Sequence, residues 1–214
     1  MLVRDRMSRN PLTTYPAASV PDASQVMQAG KVRALPVLDD KGRLVGVVSQ
    51  EDVRRVSPSP ATSLSVYELN YLLEKMKVEE VMTRNVITVT EDVALEEAGR
   101  IMLDNKISGL PVMRDGTLVG VITESHLFNV LIELFGARRP GVRLTLSVPE
   151  IPGSLAKITS AISALGGIIV AFGEIDQPEA GRLVATMKVQ NVDREDLVKA
   201  VQPFVLEIED VRES

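Results

Sequence analysis

Few residues of this chain have the types and spacing for chemistry, and the clearest set is Ser49-Gln50-Glu51-Asp52. A hydroxyl three residues ahead of a carboxylate supports two chemistries. One is structural: Ser49 caps a helix and Asp52 completes a capping box, each side chain bonding the other's backbone N–H. The other is recognition. A carboxylate can accept both hydroxyls of a ribose, as acids do in dinucleotide folds, and a hydroxyl at a helix start can bond ribose or phosphate where free N–H groups favour anions. On four residues alone the cap is the simpler reading, and the two roles are compatible. A second set, Thr123-Glu124-Ser125-His126, has the same layout with His126 in the acid's place. A neutral imidazole cannot accept two hydroxyl hydrogen bonds as a carboxylate does. A diol site there is expected to be weak, empty or altered, with His126 either contacting phosphate when protonated or serving as a surface or capping residue.

The remaining composition offers little other chemistry. Among 214 residues there is no Cys, which excludes disulfides, Cys-ligated zinc, iron–sulfur clusters and thiol nucleophiles. One His leaves no His-rich metal site and no mechanism needing two imidazoles. Aromatic residues make up 3%, with no Trp, too few for base-stacking platforms. The net charge of −5 disfavours nucleic acid as a partner. With 45% apolar and 25% charged residues the chain reads as globular, and as a binding protein rather than an enzyme. The charge is uneven: residues 1–60 carry a net +3, while 61–141 and 142–214 carry −4 each. Met1-Leu2-Val3-Arg4-Asp5-Arg6 lacks the apolar run of a signal peptide. The stretch 127–134 is interrupted by Asn129 and Glu133 and falls short of the ~20 residues a membrane span needs. The expectation is a cytoplasmic protein without membrane contact.

The elements that position these residues are set by an internal repeat at an offset of 75 residues. Met7-Ser8-Arg9-Asn10 matches Met82-Thr83-Arg84-Asn85, and Leu35-Pro36-Val37 matches Leu110-Pro111-Val112. After a one-residue deletion, Leu44-Val45-Gly46-Val47-Val48-Ser49 matches Leu118-Val119-Gly120-Val121-Ile122-Thr123. Each copy reads β-α-β-β-α. In the first, 12–14 is extended, 22–30 is a helix capped by Asp22 and ended by Gly30, 34–38 and 43–48 form a hairpin about the turn 39–42, and a helix runs from Ser49 to Val56. The second repeats this with a helix over 92–104, strands over 109–113 and 118–122, and a longer helix to Phe135. Residues 57–60 break the chain, and 67–76, with Leu69, Leu72, Leu73 and Met76, reads as a connecting helix. At roughly 55–60 residues each copy is marginal alone, so the two are expected to pack as a pair.

Past a hinge-like break at 137–141 the pattern changes. Residues 142–148 alternate as a half-buried strand, 154–165 is a helix, 168–172 and 183–189 are strands around a polar loop at 176–181, Asp193 caps a short helix, and 205–208 is a last strand. This βαββαβ order is the ferredoxin-like plan. The fold class is therefore α+β.

These strings resemble known families. Leu35-Pro36-Val37, Leu44 to Ser49 and Asp52, duplicated, resemble a tandem pair of cystathionine-β-synthase (CBS) domains, or Bateman module. Pro149 to Ile158 with Gly166-Gly167-Ile168 is similar to an ACT domain, departing from its usual pattern at Glu150, where Asp is frequent, and at Ile168, where Asn is frequent. The order of modules resembles the acetoin utilization protein AcuB family. The division is CBS repeat 1 at 1–65, connecting helix and CBS repeat 2 at 66–137, a linker at 138–141 and an ACT domain at 142–214.

The resemblance implies a regulatory ligand, an adenosine nucleotide (AMP, ADP or ATP), in the cleft between repeats, with no obligatory cofactor and no metal. Carried onto this chain, Asp52 would accept the ribose hydroxyls and Ser49 would bond ribose or phosphate. Arg33, just before the strand that holds Ala34 and Pro36, would meet phosphate, with Lys31 and Lys106 behind it. Val47 would flank adenine together with Thr83, Asn85, Val86 and Ile87, and Ser108 is a further candidate. A second site would use Thr123 and His126 with Asn10 and Pro11. The ACT unit implies a homodimer, with Glu150, Ile151, Gly153 and Ser154 as an effector loop or, given the two departures, a dimerising device without a ligand. The regulated partner is left unknown. The alternative is a ligand-free CBS/ACT oligomerisation module, in which the apolar helix 127–135 packs copies together or fills an intramolecular core.

Overall fold

Runs of β-branched and apolar residues on either side of short polar turns fold as the two expected hairpins. The computed structural model describes residues 1–56, 75–177 and 182–213, the side chains of 175–177 excepted. The first repeat comprises β1 (Ser8–Arg9), α1 (Val20–Ala29), β2 (Ala34–Leu38), β3 (Leu44–Ser49) and α2 (Gln50–Val56). The second comprises α3 (Val78–Val81), β4 (Val89–Thr90), α4 (Leu95–Asn105), β5 (Gly109–Arg114), β6 (Thr117–Thr123) and α5 (Glu124–Leu134). The break at 57–60, nearly all of the connecting helix at 67–76 and most of the loop at 176–181 lie outside the described residues.

Local chemistry explains where the elements start and turn. In the β2–β3 turn the Asp39 carboxylate accepts the N–H groups of Lys41 and Arg43 at 3.0 and 2.8 Å. Asp115 and Gly116, with φ of 49° and 77°, make the two-residue Asp-Gly turn of β5–β6. One predicted cap and one predicted helix start are corrected. Ser19, not Asp22, caps α1, its hydroxyl accepting the Asp22 N–H at 3.1 Å, because Pro21 fits only the first turn and pushes the helix start back. Asp92 caps nothing: α4 begins at Leu95, and the Asp92 carboxylate accepts from the Thr90 hydroxyl instead.

The two repeats exchange their leading segments. Val3 and Arg4 donate to the Val93 and Glu91 carbonyls, while Leu95 donates to Met1. In the same pattern Val78 and Glu79 donate to Ala18 and Pro16, while Val20 donates to Met76. Next along the chain, β1 of the first repeat pairs with β6 of the second, and Thr83 of the second pairs with Val47 of β3. Each hairpin is thus completed by the other copy, which is why two units marginal alone form one body. Behind the first hairpin Met27, Leu35, Val37 and Val48 pack with Val78, Val81 and Met82 of the second repeat.

Two compact units result, Met1–Leu127 and Phe128–Ser214. The second contains β7 (Val142–Pro149), α6 (Ser154–Ala164), β8 (Ile168–Gln177), β9 (Arg182–Gln190), α7 (Arg194–Val201) and β10 (Glu207–Glu213). Its antiparallel sheet has the order β10-β7-β9-β8, the ferredoxin-like arrangement. Leu144, Leu146, Ala185 and Met187 alternate inward onto Ile158, Ile162, Leu197 and Val201 of the helices. The last strand is longer and later than the expected 205–208; a bulge between Ile208 and Asp210 breaks the alternation that sequence reading follows. The supposed hinge is bonded to the sheet. Buried Lys188 donates to the Gly136 and Arg139 carbonyls at 3.0 and 2.8 Å, and Gln190 donates to the Pro140 carbonyl at 2.6 Å. Among the described residues, no helix is long and apolar enough to cross a membrane.

Candidate functional site

The expected first site is built on the β3–α2 junction. Ser49 ends β3 opposite Ala34, and Val47 lies opposite Pro36. The Arg33 carbonyl accepts the Gln50 N–H at 2.9 Å, which seats the start of α2 against the end of the 31–34 segment. The capping box is real: the Asp52 N–H donates to the Ser49 hydroxyl oxygen at 3.2 Å, and Asp52 Oδ2 accepts from the Ser49 N–H at 2.9 Å. The Ser49 hydroxyl also donates to Oδ2 at 2.6 Å. Asp52 is buried, at 8% exposure, and its Oδ1 accepts from Arg55 at 2.9 Å. Asp52 is therefore fixed in place by its own helix start.

The second repeat borders this junction. Val47 and Thr83 exchange both backbone hydrogen bonds at 2.9 Å, so the Thr83 strand lies directly beside Val47. Asn85, Val86 and Ile87 follow along that segment, Val86 half-buried and Ile87 39% exposed. The structure thus brings Arg33, Ala34, Pro36, Val47, Ser49, Asp52 and Thr83 into one neighbourhood. Ser108 sits at the second repeat's helix start: its carbonyl accepts the Glu124 N–H at 3.1 Å, the counterpart of the Arg33–Gln50 bond. Lys31 and Lys106 take left-handed backbone at φ of 52° and 55°, each just after its helix.

At the second junction His126 does what Asp52 does. Its Nδ1 accepts from the Thr123 N–H at 3.0 Å and lies 2.9 Å from the Thr123 hydroxyl. Because a backbone N–H can only donate, the ring proton sits on Nε2, 3.1 Å from the Ser8 hydroxyl oxygen. Both nitrogens are consumed. Of the second-site residues, Thr123 and His126 are together, whereas Asn10 lines a separate cleft of about 280 Å³ with Met7, Arg9, Arg114, Leu118 and Val119. Pro11 follows Asn10 in the chain, half-buried. Sequence reading missed Ser8, although its match to Thr83 was the available signal. It also missed Arg55, whose place three residues after Asp52 on a helix was another.

Burial pushes the His126 imidazole below its ordinary value. The unfolded chain therefore takes up this proton first as pH falls. Stability from the neutral ring is fully present above about pH 6.5 and is lost as pH drops through the folded value. His126→Asn is expected to show a smaller loss of thermal midpoint between about pH 7.5 and 5.5 than the parent chain. An equal loss in both would mean that the ring does not titrate with folding.

In the second unit Glu150, Ile151, Gly153 and Ser154 all line a cleft of about 420 Å³, which Glu174 and Leu183 also border. Gly153, at φ 88°, gives the start of α6 no side-chain cap. Among the described residues no group of acidic, His or Cys side chains could hold a metal ion.

Solved structures share this arrangement. An acetoin utilization protein (AcuB) from Vibrio cholerae, so described in its crystal structure as a candidate, is 30% identical, with a TM-score of 0.53 over 64% of this chain and 95% of that one. CBSX2 in complex with AMP is 33% identical, with a TM-score of 0.51 over 64% of this chain and 98% of that one. The CBS domain pair of protein MJ0100, in complex with 5′-methylthioadenosine and S-adenosyl-L-methionine, is 28% identical, with a TM-score of 0.51 over 65% and 98%. The family model of the CBS domain matches residues 3–59 and again residues 78–133. With both repeats matched and their leading strands exchanged, the chain belongs to the CBS-domain family as a tandem pair.

Proposed function

We propose that this chain is a regulatory protein, not an enzyme, that senses an adenosine nucleotide (AMP, ADP or ATP) in the first-repeat cleft. One observation carries the reading: the buried Asp52 carboxylate stands at the β3–α2 junction, while Val47 of the same strand is bonded to Thr83 of the other repeat. In this reading Asp52 accepts the ribose hydroxyls and Ser49 lies between them and the helix start. Val47, Thr83, Asn85, Val86 and Ile87 flank adenine, and Arg33 meets phosphate. The second junction takes no ribose, because His126 spends both ring nitrogens on Thr123 and Ser8.

A ligand that touches both repeats shifts their arrangement only as far as it prefers one arrangement over another. We read the second unit as an ACT domain that pairs two chains into a homodimer and couples the nucleotide site to that assembly. Glu150, Ile151, Gly153 and Ser154 would face a second small effector. The likeness to the Vibrio protein, described as an acetoin utilization protein, supports a link to acetoin metabolism, with the regulated partner left unknown. The exposed stripe Phe128, Leu131 and Leu134 favours a second reading, an oligomerisation module without a ligand.

Thermal shift separates the two. A nucleotide at 100 times its Kd should stabilise the chain by about 2.7 kcal/mol. No shift with millimolar AMP, ADP or ATP would leave only the oligomerisation reading.

A further inference from the structure

Asp52 has less to offer a ligand than its burial suggests. Its Oδ2 already accepts two hydrogen bonds from Ser49, at 2.9 and 2.6 Å, which fills that oxygen's two acceptor positions. The free capacity lies on Oδ1, and there Arg55 donates from 2.9 Å. The Arg55 side chain is 66% exposed against 11% for that of Asp52, so the cation sits on the solvent side of the acid. Its neighbour Arg54 is committed elsewhere, to Glu51 at 2.9 Å. Among the described residues Arg55 pairs with Asp52 alone.

The second repeat supplies a natural comparison. Where the first has Ser49, Asp52 and Arg55, the second has Thr123, His126 and Asn129. Acid and cation are present together or absent together. A helix cap needs no arginine, since His126 caps its helix without one. Arg55 therefore answers to the carboxylate's unused oxygen rather than to the cap.

We infer that Arg55 is a latch on Asp52 that makes the cleft select adenosine ligands carrying phosphate over neutral nucleosides. The inference rests on the nucleotide reading given above. Because Oδ2 is filled and Arg55 holds one of the two acceptor positions of Oδ1, a ribose diol that places both hydroxyls on Oδ1 must displace the guanidinium. A neutral nucleoside then leaves Arg55 without an anion, and the exchange gains little. A 5′-phosphate gives the displaced cation a new and better partner, since guanidinium and phosphate match in charge and in paired hydrogen-bond geometry. The same arginine opposes one class of ligand and rewards the other. This distinction is chemically live, because CBS pairs similar to this one hold AMP in one case and 5′-methylthioadenosine with S-adenosyl-L-methionine in another.

The test is calorimetric titration of AMP and of adenosine into the full chain and its Arg55→Ala variant. The parent is expected to bind AMP at least about tenfold more tightly than adenosine. Arg55→Ala should narrow that ratio to about threefold or less, with adenosine itself binding more tightly once the ion pair no longer competes. Arg55→Lys, which keeps the charge but loses the paired donors, should fall between the two. An unchanged ratio in Arg55→Ala, or a parent that binds both ligands equally, overturns the latch and leaves the nucleotide site standing. Failure of both ligands to bind either protein overturns the nucleotide reading and the latch together.

Discussion

Gly120→Ala is expected to destabilise the CBS pair by about 2–3 kcal/mol, and Gly46→Ala by about 1–2 kcal/mol. Neither glycine is there for backbone freedom. Each lies where the leading segment of the other repeat crosses its strand, and there is no room for a methyl group. A Cβ on Gly120 would stand 2.9 Å from the Ser8 carbonyl oxygen and 2.6 Å from Met7 Sδ. On Gly46 it would stand 2.5 Å from Met82 Sδ and 3.1 Å from the Thr83 carbonyl oxygen. A methionine can move its thioether, but a carbonyl locked in a strand pairing cannot easily retreat. The larger effect therefore belongs to Gly120, where the backbone contact is shorter. Urea denaturation of the two variants checks this. Changes below about 0.5 kcal/mol in both would mean that the crossings are loose and the repeats are not interlocked.

Gly46 carries a second consequence, because it adjoins the Val47–Thr83 bonds that close the first cleft. Its alanine variant should weaken nucleotide binding as well as stability. Gly120→Ala, at the junction occupied by His126, should leave binding unchanged while the fold holds. That difference distinguishes damage to a site from damage to a scaffold.

Asp52→Ala is the second large effect, and it has two separable parts. Removing the carboxylate takes away the acceptor for the Ser49 N–H and costs about 1 kcal/mol of cap energy. It also removes the proposed ribose acceptor, and losing charge-assisted hydrogen bonds to two hydroxyls should lower affinity by about a hundredfold or more. Asp52→Asn divides these parts, since the amide oxygen can still accept from Ser49 while the charge is gone. It should keep most of the stability and lose most of the affinity.

Much of this molecule was legible in the sequence, for a physical reason. A duplication writes each structural constraint twice. Gly46 and Gly120, Met7 and Met82, and Lys31 and Lys106 recur because the same crowded crossings and left-handed turns recur. Alternation placed the strands of the second unit for the same kind of reason, since one face of its sheet is covered by α6 and α7. Three features escaped. The bulge in β10 breaks period two and hides the strand's true extent. The role of Lys188 depends on carbonyls more than 45 residues away in sequence, which no local pattern reports. Ser108 was assigned by the module's general symmetry, yet its backbone bond ties it to Glu124. The asymmetry of the two clefts was readable because it rests on one substitution of residue type, His126 for an acid, and the geometry gives that substitution its chemical content.

The central claim is one nucleotide site per chain, centred on Asp52. Calorimetric titration of AMP into the full chain and into Asp52→Ala measures this most directly. The account predicts about one AMP bound per parent chain and no measurable binding to the variant. Two AMP per chain, or binding that survives Asp52→Ala unchanged, would contradict it.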